Sequence, residues 1–67
     1  MNAAAAIEAN IILTIIRSGD VATGIDALSS AKQPVLKMIA RKMNISLPSR
    51  NPSADVLRSA IKAAVAA

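Results

Sequence analysis

No Phe, Tyr, Trp, Cys or His occurs anywhere in this 67-residue chain. Its core must be assembled from Ile, Leu, Val, Met and Ala alone, with no disulfide and no thiolate or imidazole zinc site to hold it together. A chain of this length buries only about 60% of the surface that its unfolded form exposes. Oligomerisation is the remaining way to gain burial. Much of the 54% apolar content is Ala, which adds little burial but favours helix strongly. These constraints predict one domain over residues 1–67, an all-α small bundle of three to four helices.

The same absences exclude function classes. Folds that stack bases on aromatic rings have no ring to use here, and grooves for proline-rich peptides lack their aromatic walls. No His is present to activate a serine, and no Ser-x-x-Lys pairing stands out beyond chance. With only Gly19 and Gly24 there is no phosphate-binding glycine loop. Glu8, Asp20, Asp26 and Asp55 fall at expected helix starts or turns, where a carboxylate favours the helix dipole. The expectation is a protein that is not an enzyme, with no catalytic residue, no metal and no cofactor. The longest apolar run, Ala3 to Ile16, is broken by Glu8 and Asn10 and falls short of the roughly 20 residues that cross a bilayer. No basic segment precedes it as in a secretory signal. The expected location is cytoplasmic, without membrane attachment.

Four segments emerge along the chain. Asn2 to Ser18 predicts a helix, capped by Asn2 and ended by Gly19. Ile7, Ile11 and Ile15 fall in one stripe, and Ile12, Leu13 and Ile16 carry the apolar surface most of the way round. A helix this apolar must be covered on more than one side. That predicts a homo-oligomer built through Ile7, Ile11, Ile12, Ile15 and Ile16, the alternative being a central helix in a monomeric bundle. Asp20 to Ser29 predicts a short second helix capped by Asp20, with Val21, Ile25 and Leu28 inward. Gly24 weakens it by about 1 kcal/mol relative to Ala and suggests a kink.

The third segment opens on Ser30-Ala31-Lys32-Gln33, the pattern of a capping box, with Pro34 in the first turn. Val35, Leu36, Ile39, Ala40 and Met43 make its apolar face; Lys37, Met38, Arg41 and Lys42 lie opposite, and Asn44 is suited to end it. Ile45 and Leu47 are then expected to point inward from an extended link, because Pro48 disfavours helix at Leu47. Asn51 is the expected cap of the last helix with Pro52 at its first position, and Ser53 competes for the cap. Val56, Leu57, Ala60, Ile61 and Ala64 are its expected buried face, with Asp55, Arg58, Ser59 and Lys62 outward.

Charge divides the chain. Residues 1–30 hold one basic and three acidic side chains, a net of −2, whereas residues 31–67 hold seven basic and one acidic, a net of +6. This asymmetry predicts an N-terminal assembly segment and a C-terminal half that meets an anionic partner. The run Leu36-Lys37-Met38-Ile39-Ala40-Arg41-Lys42-Met43-Asn44-Ile45, followed by Val56-Leu57-Arg58-Ser59-Ala60-Ile61, resembles the helix-extended-helix modules. These are the small domains at the N-terminus of the Rho transcription terminator, the SAP domains and the LEM-like domains. The resemblance covers residues 31–65. Asn44 stands where those families usually carry Gly, and the Lys usual before their second helix is missing. SAP-like and Rho-like membership implies nucleic-acid contact, while LEM-like membership implies a protein partner.

The reading that joins these observations is a binding module for DNA or RNA. Lys32, Lys37, Arg41, Lys42, Arg50, Arg58 and Lys62 are its candidate contacts, and they bind phosphates by charge. The alternative is a protein-interaction or oligomerisation domain that uses the apolar first helix.

Overall fold

In the computed structural model, residues 3–47 and 50–66 are described. They form an all-α globule of four helices: α1 (Ala3–Arg17), α2 (Val21–Ser30), α3 (Gln33–Lys42) and α4 (Ala54–Ala66), with no strand among the described residues. The expected cap Asn2, the link proline Pro48 with its neighbour Ser49, and Ala67 lie outside them. The principal contacts join α1 to α2 and α3, and α4 to α3 and α2. Leu28, Leu36, Ile39, Leu57 and Ile61 are fully buried at the centre. No described helix is long and apolar enough to cross a membrane.

Each boundary has a local cause. Gly19 takes φ +99 after α1, a left-handed turn that costs little without a Cβ. Asp20 caps α2 by accepting the Thr23 amide at 3.4 Å. α3 ends in a Schellman turn: Asn44 adopts φ 56, its amide donates to the Arg41 carbonyl at 3.1 Å, and the Ile45 amide donates to Ala40 at 3.0 Å. That turn sends Ile45 and Leu47 back against the core.

Several expected details are corrected. The capping box at Ser30 does not form, because α2 runs through Ser30 and Lys32 is the cap residue of α3, without a side-chain hydrogen bond. Gln33 is used elsewhere: its Nε2 donates to the Pro52 carbonyl at 2.6 Å, tying the start of α3 to the approach of α4. Ser53 rather than Asn51 caps α4, its Oγ accepting the Val56 amide at 3.3 Å. Pro52 is buried ahead of the helix.

The inward faces are also rotated from those expected. On α1 the buried residues are Ala5, Ala9, Ile12 and Leu13, while Ile7 and Ile11 are 61% and 55% exposed. Two alanines one turn apart let α1 approach its neighbours closely, which turns the Ile7–Ile11 stripe outward. Gly24 does the same for α2. A Cβ there would overlap Cγ1 of Ile16, so Gly24 marks a close helix contact inside a continuous helix. Seating Gly24 inward leaves Val21 37% exposed. On α4, Leu57 and Ile61 are buried, Ala60 is half-buried, Ala64 is exposed and Val56 is 40% exposed.

Candidate nucleic-acid interface

Packing fixes which face of α3 is free. Val35, Leu36, Ile39 and Ala40 are buried, so Lys37 and Arg41, one turn apart, point away from the core. Lys42 lies about 100° further round from Arg41, and it too is exposed. Met38, between them, is half-buried and packs on the core. Its expected place opposite the apolar face is thereby corrected.

The link before α4 joins this face. Lys37 Nζ donates to Asn51 Oδ1 at 3.0 Å, which brings the ammonium beside the segment carrying exposed Arg50. Lys37 and Arg41 thus share one face of α3, with Lys42 at its edge, and the link residue that Lys37 reaches is the chain neighbour of Arg50. Among the described residues, the one ion pair joins Arg58 and Asp55. Arg41, Lys42 and Arg50 find no acidic partner there, so the charges of the α3 face are not neutralised by the described residues.

The other candidates fall elsewhere. Lys32 is exposed at the opposite end of α3, where it lines a shallow, open depression of about 130 Å³ with Ala4, Ala5, Glu8, Pro34 and Val35. Lys62 is half-buried one turn beyond Arg58 on α4.

Arg58 is turned inward, with its side chain only 23% exposed. Its Nε donates to the Leu28 carbonyl at 3.0 Å, its Nη2 to the Ala31 carbonyl at 3.1 Å, and its Nη1 to Asp55 Oδ1 at 2.9 Å. The guanidinium satisfies carbonyls at the C-terminus of α2, where a cation is favoured. Its expected outward placement is thereby corrected. Asp55-x-x-Arg58 is a legible pair within one helix turn. Nothing local pointed to carbonyls some thirty residues away.

The isoleucines of α1 also divide. Ile7 and Ile11 are exposed and Ile15 is half-buried, whereas Ile12 is buried and Ile16 packs against Gly24. Ile12 and Ile16 belong to this chain's own core and are removed from the expected oligomer surface.

The chain matches no protein-family model, and no curated protein or solved structure is significantly similar to it.

Proposed function

We propose that this protein is a non-catalytic binding module for DNA or RNA, holding phosphates with Lys37, Arg41, Lys42 and Arg50. The observation that carries this reading is the unneutralised state of the α3 face. Arg41, Lys42 and Arg50 are exposed without an ionic partner among the described residues, in a half of the chain with net +6. Such a face binds a polyanion by neutralising its phosphates and releasing the counterions condensed on them. Lys32 and Lys62 are peripheral contacts, and Arg58 contributes through the fold.

The likeness of residues 31–65 to SAP-like and Rho-like modules agrees with this reading. Here α3, the link through Ile45 and Leu47, and α4 follow in that order. A cysteine-free chain suits the cytoplasm, where thiols stay reduced and nucleic acid is at hand. With no chemistry of its own, the module would recruit or position other machinery.

The test is fluorescence anisotropy with labelled duplex and single-stranded oligonucleotides at low and fourfold higher salt. Three to four phosphate contacts give an affinity that falls roughly 40- to 150-fold over that range on the duplex and roughly 20- to 50-fold on the single strand. Absence of binding at the lower salt would refute the reading.

A further inference from the structure

We propose that the outer face of α1 is the contact surface for a second copy of this chain. Ala4, Ile7, Ile11 and Thr14 recur at alternating spacings of three and four, the seam of a paired helix. Ile7 and Ile11 are the two most exposed large apolar side chains among the described residues. No charge interrupts the seam. Its one hydroxyl is already satisfied, since Thr14 Oγ1 donates to the Asn10 carbonyl at 2.8 Å. Covering it would strand no donor.

The border of the seam indicates what covers it. Glu8 and Lys32 line the depression next to Ala4, and neither forms an ion pair among the described residues. A twofold contact brings each surface element against its symmetry-related counterpart. On the side nearest Pro34 the strip is edged by one acid and one base and is complementary to itself there, with each Glu8 reaching Lys32 of the other copy. Arg17 stands exposed at the far end of α1. Charge further selects this side. The C-terminal half at +6 repels another copy of itself far more strongly than residues 1–30 do at −2. A contact that takes in only Lys32 and Pro34 from the basic half therefore meets the least repulsion.

Size sets the strength. A standard interface covers about 800 Å² on each partner, close to a fifth of the 4310 Å² that this chain exposes. α1 is 15 residues long, about 22 Å, and its seam is narrow. The contact therefore extends over Lys32 and Pro34 and remains below the standard size. The resulting dimer is weak and forms only at high protein concentration.

Sedimentation equilibrium of the intact chain up to about 1 mM tests this without nucleic acid. The average mass is expected to climb from monomer toward dimer with concentration. Ile11→Asp should remain monomeric throughout while keeping the helical circular dichroism of the wild type, because Ile11 is mostly outside the core. Glu8→Lys and Lys32→Glu should each weaken the dimer about tenfold, and the double exchange should restore it. Should Ile11→Asp unfold, the wild-type isotherm and the charge exchange still decide. A chain that stays monomeric at the highest concentration, or a dimer indifferent to the charge changes, would overturn the proposal.

Discussion

Arg58 Nε donates to the carbonyl of Leu28 at 3.0 Å, linking α4 to the end of α2 across thirty residues of chain. A second bond to Ala31 at 3.1 Å and the pair with Asp55 hold the guanidinium in place. A basic side chain from the most positively charged part of the molecule is thus used to close the fold.

Arg58→Ala should lower stability by about 1.5–3 kcal/mol, the range for hydrogen bonds to a charged group. Arg58→Lys should recover only part of it, since an ammonium lacks the planar fork that spans Leu28, Ala31 and Asp55. Urea unfolding followed by circular dichroism measures both. An alanine variant as stable as the wild type would show that the α2 carbonyls find water as readily as they find Arg58.

Gly24→Ala tests the α1–α2 contact. Helix propensity alone predicts a gain of about 1 kcal/mol. Overlap with the β-branched and stiff Ile16 predicts a larger loss, for a net destabilisation of about 1–2 kcal/mol. Adding Ile16→Ala should relieve the overlap, so the double variant should fall short of the summed losses. Thermal melts of the four-member cycle provide the coupling.

Asn44 holds a left-handed conformation at the end of α3. Asn44→Gly should be neutral or stabilising by up to about 1 kcal/mol, and Asn44→Val should cost at least about 1 kcal/mol from backbone strain. If the two variants melt together, the Schellman turn is not maintained in solution.

Charge reversal at Arg41 and Lys42 should separate folding from binding. Both side chains are exposed and unpaired among the described residues, so the stability cost should be confined to losing a cation from the last turn of α3, about 0.3–1 kcal/mol per site. The slope of log affinity against log salt should fall by about 0.9 for each phosphate that the variant no longer neutralises. An unchanged slope would remove that residue from the proposed interface.

The face of α3 was legible because its apolar residues follow one helical stripe. The choice of Asn44 as its end was legible because few residues accept a left-handed turn. The faces of α1, α2 and α4 were not. An α1 segment apolar nearly all round offers several inward orientations of similar transfer energy, and Ala5, Ala9 and Gly24 decide among them through how closely backbones can approach. Weighting side chains by hydrophobicity favours the larger Ile7 and Ile11, which lie outside.

The candidate site divides in the same way. Exposure of Arg41 and Lys42 follows from their place opposite a well-defined apolar stripe. Arg58 and Lys32 carry the same charge and are equally helix-compatible by sequence, yet one seals the end of α2 and the other edges a depression with Glu8.

By itself, the sequence determined the helical class, the position of the turns and the separation of charge between the two halves. Those properties come from propensity, left-handed residues and composition, which act over a few neighbours. Only the tertiary structure decided which isoleucines remain uncovered and which arginine is withdrawn from the basic surface. Both depend on the distance of approach between helices and on the carbonyls left open at their ends, and neither exists until the four helices have met.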